Sequence, residues 1–310
     1  VIAAVLAGAT AAGAQPREVG AMVTEIRAGR GRIEVREPGR PQWRPAGPLQ
    51  ALRVGDSLRA TEDAAAVVVL AGRRGSVRVD AARSPLVIAA PPADSRLQRA
   101  FLLLGDGLSF LGGSPREEAR PVLSTRSVSR EPVILSPRVG PVLADTLAFD
   151  WQGASSARYA LRLVAPAGIV LERSGVQGGR LVYPVDAPAL LPGTVYTLQL
   201  FSGPTRVDEI RFEVAARARA DELVRDLREV DRALGPDVPA TSRAVVQAGV
   251  LASRGFLHDA RRVVVAALAT DADQPSLHTL LGGLYARTAL PREADLAYER
   301  ARALAEPARR

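Results

Sequence analysis

Residues 216–236 read ARARADELVRDLREVDRALGP, and here the chain changes period. Leu223, Leu227, Val230 and Leu234 stand at i, i+4, i+7 and i+11, so four apolar side chains share one face of an α-helix, and Gly235-Pro236 ends it. Before Ala216 the apolar residues alternate with a period of two. After Pro236 helical spacing resumes. The 310 residues therefore divide into β followed by α, with about two or three domains at roughly 100–200 residues each.

Just upstream, residues 133–215 carry the clearer of two β patterns. Leu147, Phe149 and Trp151 alternate with Ala148 and Asp150, and Tyr159, Leu161 and Leu163 alternate with Ala160 and Arg162. Each run offers one apolar face to a core. Leu190-Leu191-Pro192-Gly193-Thr194-Val195-Tyr196 follows. This region resembles the fibronectin type III sandwich, in which an early Trp lies in the core and a corner tyrosine bonds back to the chain. The resemblance gives those places to Trp151 and Tyr196 and makes both structural. It says little about function.

Residues 19–92 read as short strands, with alternation at Arg32-Ile33-Glu34-Val35-Arg36 and Val77-Arg78-Val79, and with glycines at 29, 31, 39, 47, 55, 72 and 75 at turn spacing. Gly31-Arg32-Ile33-Glu34-Val35, Leu52 to Thr61 with its Gly55-Asp56 turn, Ala66-Val67-Val68-Val69-Leu70 and Gly75 to Val79 resemble the FecR-like domain of bacterial envelope proteins. In its best-known setting such a domain follows a cytoplasmic anti-sigma segment and one membrane helix. Residues 15–112 are assigned to it, with Leu102 to Phe110 as further strands. Residues 113–132, rich in Ser, Arg and Pro, read as a linker.

Beyond Pro236 two segments match at a spacing of 34. Ala248, Leu251, Gly255, Ala260, Val264 and Ala267 correspond to Gly282, Tyr285, Ala289, Ala294, Tyr298 and Ala301. With Leu281-Gly282-Gly283-Leu284-Tyr285, residues 216–310 resemble tetratricopeptide repeats. That resemblance implies a concave partner-binding face near Val245, Gly249, Ala252, Thr279, Gly283, Ala286 and Arg287, mostly small and uncharged.

Composition narrows the chemistry. All 41 basic residues are arginine, and lysine, asparagine and cysteine are absent, as a GC-rich coding sequence produces. The formal charge of +8 is then partly a codon effect, so nucleic acid is not the expected partner. Its largest share lies in residues 15–92, with thirteen arginines against eight acids. Without cysteine there are no disulfides, thiolate metal sites or cysteine nucleophiles.

Val1 to Ala14 are almost wholly Ala, Val, Leu, Ile and Gly and end in Ala12-Gly13-Ala14, the pattern of an apolar leader core with its cleavage site. The rival reading is the end of a membrane anchor. His258 and His278 stand 20 residues apart without an i,i+4 partner, and neither Gly29-Arg30-Gly31 nor Gly105-Asp106-Gly107 completes a nucleotide loop. No cofactor, metal or catalytic residue is expected. The sequence points to a non-catalytic, periplasmic or exported scaffold or adaptor, with envelope proteins or anionic cell-wall polymer as partners. The alternative is the periplasmic part of a FecR-type transducer acting on a sigma factor.

Overall fold

The computed structural model describes residues 18–71, 75–90 and 132–307. The expected leader at 1–14, the strands near 102–110 and all but the last residue of the 113–132 linker lie outside them. Among the described residues a β-rich part is followed by five α-helices.

The first β-part contains β1 (Val19–Arg27), β2 (Ile33–Arg36), β3 (Arg44–Pro45), β4 (Ala51–Arg53), β5 (Ser57–Ala60), β6 (Ala65–Leu70), β7 (Ser76–Val79) and β8 (Leu86–Val87). They form two four-stranded sheets, ordered β4-β1-β6-β7 and β3-β2-β5-β8. Alternation explains the space between them: Ile33 and Val35 of β2 and Leu58 and Ala60 of β5 face inward onto Val23, Ile26, Val68 and Val79. Gly31 is needed for closure, because a Cβ there would stand 1.8 Å from the Thr61 carbonyl oxygen.

The second β-part contains β9 (Val133–Ser136), β10 (Pro141–Val142), β11 (Ala148–Gln152), β12 (Tyr159–Ala165), β13 (Gly168–Val176), β14 (Arg180–Val182), β15 (Val195–Ser202) and β16 (Thr205–Val214). Sheets ordered β10-β16-β15-β12-β13 and β14-β11-β9 enclose a core of Phe149, Trp151, Leu161, Leu163, Tyr196, Leu198 and Phe212. Trp151 meets Tyr159 edge to face, and the Tyr196 hydroxyl accepts from Leu191 N at 2.8 Å. Both sit inside, as packing residues.

The helices are α1 (Arg217–Leu234), α2 (Ala240–Ser253), α3 (Leu257–Thr270), α4 (Pro275–Arg287) and α5 (Pro291–Ala305). Leu223, Val230 and Leu234 bury the face expected of α1, and Gly235, at φ +77°, ends the helix. The hairpins α2–α3 and α4–α5 repeat with a 34-residue offset that extends to their turns: Gly255 and Ala289 both have positive φ, +85° and +58°. No described helix is long and apolar enough to cross a membrane.

The three parts share their cores. Met22 and Leu49 of the first β-part pack with Ala215 after β16 and with Leu223, Val245, Leu251, Val264, Leu277 and Leu284 of the helices. Val69 of β6 packs against Val230, Leu234, Val246 and Val250. Val133 and Leu135 of β9 lie against Tyr285, Leu290, Ala294 and Ala297. The sheet centred on β1 is therefore covered on both faces, by its partner sheet and by the helices.

Candidate functional site

The seven residues expected to line a partner-binding face divide into two sets. Val245, Gly249 and Ala252 of α2 are buried, and Val245 lies in the core that takes in Met22 of β1. On α4, Thr279 and Gly283 are half-buried, while Ala286 and Arg287 are exposed. The Thr279 hydroxyl is returned to its own helix, donating to Pro275 O at 2.9 Å. The α2 half of the face is thus occupied by the chain's own first sheet. Only the α4 half reaches solvent.

A bulge in β1 creates the polar part of that contact. Val23 pairs with Val68 and Glu25 with Val67, so Thr24 is the extra residue. Ala21 and Val23 face the inter-sheet core and Met22 faces the helices, so strict alternation would send Glu25 into the apolar core. The extra residue resets the phase. Thr24 and Glu25 both turn to the helices, and Ile26 returns to the core.

The Glu25 carboxylate then accepts from Ser242 N at 3.0 Å and Ser242 Oγ at 2.6 Å, satisfying first-turn donors of α2. The Thr24 hydroxyl lies 2.8 Å from that of Ser242. Gln274, just before α4, accepts from Ile26 N at 3.0 Å, and Arg27 pairs with Asp271 at 3.0 Å. One strand thereby serves the starts of two successive hairpins.

A second polar joint ties the sandwich to α3. Asp259, fully buried, accepts from Leu143 N and from the Thr146 hydroxyl, both at 3.1 Å. Burial pushes its carboxyl up to about 6, against the opposing pull of those hydrogen bonds and of Arg262. His258 Nδ1 lies 2.8 Å from Ser136 Oγ. Burial, with Arg261, Arg262 and Arg180 adding repulsion, holds the imidazole down at about 3, so it is neutral at ordinary pH. Arg261 reaches Asp150 of β11 at 2.6 Å, and Arg180 approaches the other oxygen at 3.4 Å. Close approach is arranged as well: a Cβ on Gly140 would lie 2.7 Å from Gly255 O.

Ser136 and His258 form a hydroxyl–imidazole pair, but they are 3% and 4% exposed, so substrate cannot reach them in this arrangement. His278 has a different partner, Ala272 O at 2.8 Å from Nε2. Among the described residues no three histidines or carboxylates converge as metal ligands. Glu25, Asp150 and Asp259 were not among the residues singled out from the sequence. The one local signal was Asp259 in the first turn of a helix. No protein-family model matches the chain, and no curated protein is significantly similar to it.

Proposed function

We propose that the protein is a non-catalytic, exported scaffold or adaptor of the bacterial cell envelope. In this reading a FecR-like β-domain, a fibronectin type III-like sandwich and tetratricopeptide-like repeats are held in one orientation, and envelope proteins or anionic cell-wall polymer are the partners. The observation that supports it is the sharing of cores: Met22, Leu49, Ala215 and the helices bury one another's apolar surface. Modules joined in that way present their outer surfaces at fixed distances, which suits holding partners together more than gating a reaction. On the helices the surface left for a protein partner is the α4 end, with Thr279, Gly283, Ala286 and Arg287.

Expression with all upstream coding sequence in a related bacterium, followed by fractionation and intact mass, tests the reading. The expected mature form starts at or near Gln15 and sediments with isolated envelopes. A chain retained in the cytosol overturns it. A form that keeps the residues before Gln15 and needs detergent for extraction favours instead the anchored transducer, acting on a sigma factor, that the resemblance around Leu52 to Thr61 suggests.

A further inference from the structure

The outer face of the β3-β2-β5-β8 sheet carries an unusual pairing of cations with an aromatic ring. Trp43, immediately before β3, is half-buried, and two guanidinium carbons lie over its ring: that of Arg36 on β2 at 4.7 Å from the centroid and that of Arg59 on β5 at 4.2 Å. A guanidinium held over an aromatic ring in this way is attracted by the ring's π face without spending an N–H donor on a carboxylate. Arg59 spends donors on Glu34, at 2.7 Å, and Glu37 pairs with both Arg40 and Arg44. Arg36 has no carboxylate within ion-pair distance among the described residues.

Arg36 also borders a shallow open depression of about 340 Å³, formed with Ser57 and the Glu37 to Pro41 turn. Four arginines and two glutamates leave this patch positive. In its ion pairs the arginines are largely accessible and the glutamates partly so, and such solvent-screened pairs stabilise little. Pro38, Pro41 and the 59%-exposed Val87 of β8 add apolar surface to the same face.

We propose that the Trp43–Arg36 face binds an acidic polysaccharide whose sugar units carry carboxylates. An acidic sugar has an apolar C–H face and a carboxylate on one ring, which matches an apolar rim beside a preorganised guanidinium fork. A nucleobase would need a bare aromatic face on which to stack, and two guanidinium groups already lie over the Trp43 ring. The proposal rests on the scaffold reading and names the anionic polymer partner within it.

Calorimetry on the full chain, near 0.15 M salt, tests it with polygalacturonate as probe. Dextran, polyphosphate and a single-stranded oligonucleotide of similar charge serve as comparisons. The expected result is binding to polygalacturonate alone or most tightly. Affinity falls about tenfold in both Arg36→Gln and Arg36→Lys, since lysine keeps the charge and loses the fork, and stays near wild type in Arg217→Gln. Trp43→Phe, which keeps an aromatic support, falls less than Arg36→Gln, and each variant's melting temperature is read alongside.

Equal binding of dextran, tighter binding of polyphosphate or oligonucleotide, or an Arg36→Lys variant that binds like wild type overturns the proposal. So does no binding at all. An exported protein that ignores polygalacturonate refutes this site and leaves the scaffold reading standing, whereas a cytosolic chain refutes the scaffold whatever it binds.

Discussion

A Cβ on Gly282 would lie 2.8 Å from two carbons of the Tyr298 ring, whereas one on Gly283 would meet only the Tyr298 hydroxyl at 3.6 Å. Gly282→Ala is therefore expected to cost about 1–3 kcal/mol by overpacking and Gly283→Ala well under 1, as read from urea midpoints. The 34-residue match already carried this logic, since the first hairpin has Ala248 and Val264 where the second has Gly282 and Tyr298, volume moving from one helix to the other. What the spacing could not convey is the state of His258. Its pKa is lowered in the fold to about 3, so its stabilising share is complete above about 6.5 and declines as pH falls toward 3. Asp259, raised to about 6, acts in the opposite sense and recovers part of that loss between about 6 and 4. Between pH 7.5 and 4.5 wild type should lose about 2–3 kcal/mol relative to His258→Gln, while Asp259→Asn should lose more over the same range than wild type. Urea midpoints at intermediate pH values decide this, and parallel pH profiles for the three proteins would contradict it.

Among the elements, β1 differs most from its reading as one more short strand. Its apolar letters were legible, but its phase was not, because a bulge is fixed by how two strands pair and not by either sequence alone. The same holds for Glu25, whose acceptor role depends on the start of a helix more than 200 residues away. Ser242→Ala and Glu25→Ala should each cost about 1–3 kcal/mol, and the double variant clearly less than their sum, a coupling that a double-mutant cycle on denaturant unfolding measures. Strict additivity would mean that the two groups do not act together. The end of α1, by contrast, could be read from sequence, since Gly235-Pro236 is a local signal, and the 34-residue offset made the repetition of the hairpins legible. Asp150 shows the other limit: β11 read as a strand with one apolar face, yet Arg261 and Arg180 cover its second face as well.

At the scale of the whole molecule, two β stretches and one helical stretch that read as separate units in the sequence share their packing. A protease site placed within 113–132 and cut should leave two pieces that co-elute on gel filtration and melt together, held by Met22, Leu49, Val69 and the polar contacts of β1 with Ser242, Asp271 and Gln274. Two pieces that separate at micromolar concentration would mean that the shared core is too weak to hold them. The closure of β1 also has a bearing on time. Its Ser242 and Gln274 contacts span 217 and 248 positions of the chain. As the polypeptide is made, or threaded through a membrane, the first strand emerges early and waits for the last hairpins with an apolar side and a carboxylate facing water. Such long-range closure is slow. Until the final third arrives, this strand is the part of the nascent chain most in need of a chaperone.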